Sequence, residues 1–296
     1  MAENIVSHKS WYDQTYKYQL ILSVIVLAFA LGYLAFFYSA NGDIIHKDIS
    51  LTGGTTITVS GANSPEEIQN ALRTRFPDVT ARSISNIRTG EQIGFFVEST
   101  ASTDELKSAL EEILGFKLTQ ENSSIEFTGS ALSSSFYQQL SLAVLIAFVG
   151  MGLVVFVIFK TPFRSLSIIA AGFADIVMTL ALVDFIGMQI SLAGIVALLM
   201  LIGYAVDTDM LLTTRVLRGE GPINTRIWGA FKTGITMTLT AIVAIGVSLF
   251  FVYGNSETLR QMFTILLIGL GFDIFNTWVT NATLLKWYAE ARHLAQ

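Results

Sequence analysis

The chain has 296 residues, of which 52% are hydrophobic and only 14% are charged, with a formal net charge of −5 and no cysteine. A soluble domain carries roughly 25% charged residues, so this chain has too little charge to cover a water-facing surface, and its mean hydropathy of +0.57 agrees. The composition excludes a disordered chain, a secreted disulfide scaffold and a nucleic-acid-binding protein, and it predicts a protein that crosses a membrane several times.

Six membrane-spanning helices are predicted along the chain. Three stretches without any Asp, Glu, Lys or Arg, at 18–42, 185–206 and 233–256, are each long enough to cross the ~30 Å hydrocarbon core as a helix of about 20 residues. The first helix is too long for a signal peptide and lacks a cleavage-like end, so we expect a retained anchor. The six predicted helices cover residues 19–38, 138–159, 165–187, 190–212, 231–252 and 262–285.

Lys and Arg residues near the ends of these helices predict the orientation of the chain. They collect on the side that holds both termini, as with Lys160 and Arg164 after the second helix and Arg215 after the fourth, whereas the other side has only Arg260 in a short loop. We therefore expect a multi-pass protein of the cytoplasmic membrane with both termini in the cytoplasm. The predicted divisions are the N-terminus with the first helix, an extracytoplasmic domain, the five remaining helices and a cytoplasmic tail, at 1–39, 40–136, 137–287 and 288–296.

The extracytoplasmic segment has a domain pattern of its own. Alternating and apolar stretches predict four strands, at 56–60, 78–87, 92–98 and 124–127, with the middle two joined at Thr89-Gly90. A first helix begins at Ser64-Pro65-Glu66-Glu67, with Ser64 as N-cap, Pro65 at the first helical position and a glutamate placed for a capping box. The order β-α-β-β-α-β predicts a ferredoxin-like α+β domain.

The second helix of this domain begins at Ser102-Thr103-Asp104-Glu105, and Gly115 is its expected C-cap. Its predicted buried stripe consists of Leu106, Ala109, Leu110, Ile113 and Leu114.

Charged side chains inside a spanning helix cost at least about 2.5 kcal/mol each at mid-bilayer, so each is a functional candidate. The predicted ion-coupling residues are Asp175, Asp207, Asp209, Lys232 and Asp273. Asp207 and Asp209 point about 200° apart on one helix, which predicts different partners. Lys232 either extends to the headgroups or forms an ion pair. Asp184, near the outer end of the third helix, is expected to reach headgroup water.

Polar side chains line up with these charges at helical spacing. On the sixth helix the positions i, i+3, i+4, i+7 and i+8 hold Asp273, Asn276, Thr277, Thr280 and Asn281, and on the fifth the positions i, i+4 and i+8 hold Lys232, Thr236 and Thr240. Hydrogen bonding between helices explains the Thr and Asn residues taken alone. With carboxylates on three helices, we favour a protonatable interior, supported by Thr236, Thr240, Asn276, Thr277 and Asn281.

Four short segments carry a family resemblance. Asp48-Ile49-Ser50-Leu51-Thr52-Gly53-Gly54-Thr55 follows the first helix, and GYAVDTDMLLTTR occupies 203–215. Ala174-Asp175 lies in the third helix, and Lys232-Thr233 with Thr236 lies in the fifth. In order and spacing these segments resemble the SecF family of protein-export membrane proteins, in the form associated with its archaeal members. The family's D-F-T-G-G-T motif, which opens the outer domain, has its counterparts in Thr52, Gly53, Gly54 and Thr55.

The resemblance implies a fold of the resistance-nodulation-division type, with this chain as one six-helix half and SecD as the other. It implies work beside the SecY-containing translocon on unfolded polypeptide, driven by the proton gradient, with sodium left open. In that scheme a fourth-helix carboxylate pairs with the fifth-helix base, here Lys232 where the family has Arg. The bacterial carboxylate aligns nearest Thr208, with Asp207 and Asp209 on either side. The SecD-like pattern A-V-D matches Asp207, so we rank Asp207 first and Asp209 second. Membrane lipid is a further expected partner.

Three other functions stay open. A small-molecule exporter subunit of the same superfamily usually has two outer domains in a longer chain, and the single outer domain here is too small to enclose a drug-sized pocket alone. An intramembrane aspartyl protease would use Asp207 and Asp273, but Gly269-Leu270-Gly271-Phe272-Asp273 departs from its G-x-G-D signature. A translocon assembly factor that couples to no ion is the third.

We expect no catalysis and no cofactor. Nothing resembles the phosphate-binding loop G-x-x-x-x-G-K-[ST], so no nucleotide is expected. His8, His46 and His293 are scattered and suggest no metal site.

Overall fold

The computed structural model of the chain describes residues 11–85, 89, 91–252 and 256–291. Some sequence predictions fall partly outside these residues: the first ten positions, the end of the strand predicted at 78–87, the turn residue Gly90 and the last five positions of the tail. The described residues form a bundle of long helices and one small antiparallel sheet.

The chain begins with one long apolar helix and then turns into the outer segment. Helix α1 spans Trp11–Asn41, and the short helix α2, which was not predicted, spans Ile49–Thr52. Asp48 caps α2, because its side chain accepts a hydrogen bond from the backbone N–H of Ile49. The segment between α1 and α2 lies against the outer end of the bundle, where Ile190 forms backbone hydrogen bonds with His46 and Asp48.

The outer segment contains a four-stranded sheet and two helices. Its elements are β1 (Gly54–Ser60), α3 (Pro65–Arg73), β2 (Thr80–Ser85), β3 (Gln92–Ser99), α4 (Thr103–Leu114) and β4 (Ser123–Thr128). The strand order is β2-β3-β1-β4 with antiparallel neighbours throughout, and Ile57 at the centre of β1 faces Val97 on one side and Ile125 on the other. The predicted strands and helices therefore exist in the predicted order.

Both helices cover one face of this sheet. Ile57, Val59, Phe95 and Val97 are fully buried there, because alternate residues of a strand point to the same face. The opposite face is polar and borders a cleft of about 460 Å³ against the outer end of the bundle, whose lining includes Thr56, Glu98, Glu126 and Ser256.

Two local predictions for this domain are wrong. The capping box does not form, since Ser64 occupies the N-cap position but its side chain makes no capping hydrogen bond. The stripe of α4 is narrower than predicted: Leu106, Ala109 and Leu110 are buried and Leu114 packs partly buried against the same core, whereas Ile113 is 39% exposed. Gly115 is the predicted C-cap and adopts the left-handed conformation.

The remaining chain is helical and returns repeatedly through the bundle. Its elements are α5 (Ser130–Phe159), α6 (Pro162–Phe185), α7 (Leu192–Arg218), α8 (Ile223–Val252), α9 (Glu257–Phe275), a π-helical turn (Asn276–Asn281) and α10 (Ala282–Ala291). Among the described residues, six helices are long and apolar enough to cross a membrane: α1, α5, α6, α7, α8 and the continuous run from α9 to α10. The six predicted helices are thus confirmed.

Most predicted helix ends fall short of the observed ones by three to eight residues, whereas two predicted ends extend two residues too far. Helix α6 ends at Phe185 rather than 187, because Gly187 adopts a φ of +72° and turns the chain. Helix α7 begins at Leu192 rather than 190, because Ile190 is hydrogen-bonded to the segment before α2 and Ser191 caps the helix through the N–H of Gly194.

Helix α7 is the centre of the bundle and contacts α5, α6, α8 and α9. In the apolar stretch of α6, 67% of the residues are buried, against 11% in α5 and in α8. Helices α5 and α8 therefore present most of their surface to whatever surrounds the chain.

Candidate functional site

Three aspartates from three helices lie in the interior of the bundle. Asp175 of α6, Asp209 of α7 and Asp273 of α9 are each no more than 1% exposed. Among the described residues, no lysine, arginine or histidine lies within salt-bridge distance of any of these carboxylates. An unpaired ionised carboxylate is costly in such surroundings, so their polar partners decide what the site can do.

Asp175 is held by an amide from the sixth spanning helix. Asn276 donates from Nδ2 to Asp175 Oδ1 at 2.8 Å, and its own Oδ1 accepts from the hydroxyl of Thr280 at 3.2 Å. Thr280 in turn contacts Ser23 of α1. A chain of hydrogen bonds therefore links α6 to α1 through the sixth helix, and it fixes the orientation of the Asn276 amide.

Asp209 and Asp273 share one threonine. The hydroxyl of Thr277 lies 3.0 Å from Asp209 Oδ1 and 3.3 Å from Asp273 Oδ1. Asn281 also donates from Nδ2 to Asp209 Oδ1 at 2.7 Å. The second carboxylate oxygen of Asp209 is buried without a hydrogen-bond partner among the described residues.

Asp273 gathers two further hydroxyls that the sequence analysis did not select. Thr208 Oγ1 lies 2.9 Å from Asp273 Oδ1, and Thr238 Oγ1 lies 3.5 Å from Asp273 Oδ2. Thr208 carried a signal, because the family resemblance places it nearest the expected position of the bacterial carboxylate. Thr238 carried none, since a buried threonine in an apolar helix commonly bonds its own backbone, as Thr238 also does with the carbonyl of Gly234.

Three of the amide and hydroxyl partners, Asn276, Thr277 and Asn281, come from a π-helical turn. Asn276, Thr277, Trp278 and Asn281 all lie within this turn and are all buried. The predicted polar stripe of the sixth helix is therefore interior, with Thr280 half-buried at its edge. Single π-helical turns inside α-helices are frequent at functional sites, and here the turn presents donors to α6 and α7 at once.

A second group of predicted residues faces away from this interior. Asp207, Lys232, Thr236 and Thr240 are all exposed. The hydroxyls of Thr236 and Thr240 donate to backbone carbonyls one turn earlier, at 2.7 Å each. Lys232 Nζ lies 5.6 Å from the ring centroid of Trp228 on its own helix, and the described residues place no carboxylate within salt-bridge distance of it. The structure therefore does not bring Asp207 and Lys232 together as a pair.

The motif that opens the outer domain is packed between two backbones. Gly53 has a φ of +81°, and a Cβ there would lie 2.5 Å from Cα of Ser130 at the start of α5. A Cβ on Gly54 would lie 2.4 Å from the carbonyl oxygen of Ser99 at the end of β3. Thr52 ends α2, and Thr55 donates from its hydroxyl to the carbonyl of Ala101 at 2.9 Å. The motif joins the outer domain to the bundle without space for larger side chains.

Asp184 does not reach outward as expected. Its side chain is buried, and Oδ1 accepts from the backbone N–H of His46 at 3.1 Å and lies 2.9 Å from His46 Nδ1. The segment between α1 and α2 covers this carboxylate, which gives Asp184 a structural role that sequence spacing did not reveal.

Within the described part of the chain, no group of three or more histidine, aspartate or glutamate side chains is arranged to hold a metal ion. The three buried aspartates instead receive hydrogen bonds from amide and hydroxyl groups. The arrangement is suited to holding and moving protons among carboxyl groups.

Sequence comparison identifies relatives over most of the chain. The family model described as "Protein export membrane protein SecD/SecF, C-terminal" matches residues 108–291. The protein-export membrane protein SecF of Methanolacinia petrolearia is 35% identical over 277 residues, which cover 93% of this chain and 94% of the relative. The SecF of Pyrococcus furiosus is 31% identical over 279 residues, with 93% and 92% covered.

Structure comparison finds the same fold in a larger protein. The crystal structure of SecDF from Thermus thermophilus, named there as a translocon-associated membrane protein, matches with a TM-score of 0.71 at 20% identity. A second structure, of SecDF in a super-membrane-facing form, matches with a TM-score of 0.59 at 19% identity. The matches cover 94% and 95% of this chain but only 38% and 39% of those chains.

Proposed function

The chain belongs to the SecF family of protein-export membrane proteins, and on that premise we propose that it is the SecF half of a SecDF complex that uses a transmembrane ion gradient to promote export. Six apolar helices and SecF relatives make it a multi-pass protein of the cell membrane. The coupling function is our inference, and it rests on the chemistry of the bundle interior.

The observation that carries ion coupling is the set of three buried carboxylates without a basic partner among the described residues. Burying them costs stability and brings no ion pair in return. Intramembrane carboxylates of this kind mark proton and ion pathways. This observation favours the coupled function over an assembly factor that binds no ion, which would have no use for Asp175, Asp209 and Asp273.

Within this site we propose Asp209 as the principal carboxylate, ahead of Asp207. Asp209 is fully buried and bonded to two side chains of the π-helical turn, so its protonation state affects the contact between α7 and the sixth helix. Asp207 is exposed two residues earlier on the same helix. Asp175 and Asp273 complete the proposed site, with Asn276, Thr277 and Asn281 as supporting groups.

We propose that SecD covers the outward polar group formed by Asp207, Lys232, Thr236 and Thr240. Asp207 lies midway along α7, where a charge facing lipid is expensive. Lys232 and the two threonines follow one stripe of α8, a helix that presents most of its surface outward. A second six-helix half with complementary polar groups would satisfy these side chains, and it would supply an acidic partner for Lys232.

We infer that the outer domain is ferredoxin-like, because the element order β-α-β-β-α-β and the strand order β2-β3-β1-β4 are those of a split β-α-β arrangement. Both termini would lie in the cytoplasm, with this domain and the predicted segment 40–136 outside. The polar cleft beneath its uncovered sheet face is a suitable contact for unfolded polypeptide that emerges from a SecY-containing translocon. We propose no catalytic role and no nucleic-acid or nucleotide partner.

The substitution Asp209→Asn tests the coupled function. We expect a trapped precursor to finish crossing the membrane at the rate that wild type shows without a gradient, because the amide cannot exchange a proton. The measurement compares rates of completion with and without an imposed ion gradient. Asp104→Asn, an exposed aspartate of α4, is the matched control and should behave as wild type. A normal response of Asp209→Asn to the gradient would refute coupling through this residue.

A further inference from the structure

The hydroxyl of Thr277 has one hydrogen to donate but two carboxyl groups within hydrogen-bonding distance. It lies within hydrogen-bonding distance of one oxygen of Asp209 and one oxygen of Asp273, at 3.0 and 3.3 Å. A threonine hydroxyl has one hydrogen to donate and can accept further hydrogen bonds on its oxygen. If both carboxylates were ionised, Thr277 could donate to only one, and the other would place its lone pairs against the hydroxyl oxygen. A proton on one of the two carboxyl groups removes this repulsion, because the protonated group then donates to Thr277 while Thr277 donates to the other.

Thr277 differs from the other threonines around the site in the kind of groups that its hydroxyl contacts. Thr208 and Thr238 each have a backbone carbonyl as a second acceptor, Ala205 at 3.0 Å and Gly234 at 3.2 Å. The hydrogen-bond partners of the Thr277 hydroxyl are the two carboxyl groups. The π-helical turn that holds Thr277 thus positions its hydroxyl between α7 and α9.

We propose that Thr277 relays a proton between Asp209 and Asp273, so that the pair holds one transferable proton. In one state Asp209 is protonated and donates from Oδ1 to Thr277 Oγ1, while Thr277 donates to ionised Asp273. In the transfer, the proton of Asp209 bonds to Thr277 Oγ1 as the hydroxyl proton of Thr277 bonds to Asp273 Oδ1. The hydroxyl is regenerated, the pair keeps its charge, and the proton has moved from the fourth to the sixth spanning helix.

The surroundings favour one shared proton over an ion pair. Asp175 faces the site from α6 through Asn276, and α8 contributes the uncharged Thr238. The buried base of the sixth helix, Lys286, bonds Asn224 at 2.9 Å. Thr208 and Thr238 stabilise the ionised form of Asp273, and Asn281 does the same for Asp209. Hydrogen bonds therefore stabilise the negative charge on either Asp209 or Asp273, whichever carboxyl group has lost the proton.

This inference rests on the proposed function, and its test is chosen so that the two can fail separately. The full chain in lipid nanodiscs is measured by infrared spectroscopy, which reports the carbonyl stretch of protonated carboxyl groups. We expect a band at neutral pH that shifts or weakens in Asp209→Asn, because the proton can then reside only on Asp273. In Thr277→Val the band should move to the frequency of an acid without a hydroxyl partner, whereas Thr277→Ser should keep the wild-type frequency.

The matched control is Thr179→Val. Thr179 is a fully buried residue of α6 whose hydroxyl donates to a backbone carbonyl of its own helix. The carboxyl band of this variant should match that of wild type. In the export assay Thr277→Val should lower the gradient-dependent rate at least about tenfold, and Thr277→Ser should restore it. Absence of the wild-type band, or a band that ignores Thr277→Val, would overturn the relay even if export is gradient-driven. If Thr277→Val fails to fold, Thr277→Ser provides the test. A shifted carboxyl band, or export that no longer responds to the gradient, in Thr277→Ser would overturn the relay. Export that ignores the gradient in wild type would overturn the proposed function and leave the infrared result standing.

Discussion

Asp78 holds together two loops of the outer domain, the one before β2 and the one after β3. Its carboxylate accepts from the backbone N–H of Thr100 at 2.6 Å, from the Thr100 hydroxyl at 2.8 Å and from the Ser99 hydroxyl at 3.2 Å. Partial burial acts to raise the pKa of Asp78, but these hydrogen bonds to the ionised form outweigh it and the pKa lies below its ordinary value. A lowered folded-state pKa means that ionised Asp78 stabilises the fold above the unfolded-state pKa, and that this stabilisation is lost as the pH falls through the folded-state pKa.

We predict that Asp78→Asn lowers the free energy of unfolding of the outer domain by about 1–3 kcal/mol at neutral pH, because the amide cannot accept as many charge-assisted hydrogen bonds. The difference from wild type should begin to shrink as the pH falls below about 4, the ordinary pKa of an aspartate, and should be lost once the pH passes the lower pKa of folded Asp78. Thermal unfolding of the full chain, followed by protease resistance of the outer domain, measures both effects. Glu121→Gln, which removes an exposed carboxylate, should cost almost nothing, and an equally large loss there would contradict this account.

Helices and strands were predictable to the extent that they depend on local spacing. The succession of strands and helices along the chain, the apolar helices and the stripe from Asp273 to Asn281 all follow from periods that a sequence displays directly. The orientation of α7 did not, because the choice between Asp207 and Asp209 as the interior residue depends on which neighbours surround the helix. The π-helical turn and the burial of Asp184 likewise depend on packing between elements distant in sequence. The missing capping bond of Ser64 shows that a local signal can also fail.

Gly53 lies where α2, β1 and α5 meet, so a substitution there tests how much the close packing of these elements contributes to stability. Gly53→Ala should destabilise the chain, because Cβ would meet the backbone of Ser130 and the φ of +81° disfavours any side chain. Gly42→Ala is the matched control, since Gly42 has a similar φ of +75° but open space around it. Backbone strain alone costs about 1–2 kcal/mol, and the steric contact should add a further 1–3 kcal/mol, roughly, for Gly53 only. Equal unfolding midpoints for the two variants would show that the close packing is unimportant.

At the scale of the whole molecule, the acidic residues of the interior and the charged residues of the outward surface have different surroundings. The interior aspartates have amide and hydroxyl partners from neighbouring helices, whereas Asp207 and Lys232 are exposed on helices that cross the membrane. The outer domain is also tied to this bundle, through the backbone hydrogen bonds of Ile190 and the contact of Gly53 with α5. One charge that crosses the membrane releases about 2.3 kcal/mol per 100 mV. A shift of α7 against its neighbours therefore has a continuous route to the outer domain, and the proposed second half would cover the charges that α7 and α8 expose.

Lys232→Leu tests whether the outward stripe of α8 contacts SecD or lipid. A leucine suits lipid better than an ammonium group, so the isolated chain should unfold at the same temperature as wild type or a higher one. Association with SecD should weaken, since an ion pair worth about 1 kcal/mol changes an association constant roughly fivefold. Copurification of co-expressed SecD with the chain measures this loss. Lys17→Leu, which removes an exposed lysine of α1, should leave the recovery of SecD unchanged. Undiminished SecD with Lys232→Leu would mean that the polar stripe of α8 faces lipid and that the partner binds elsewhere.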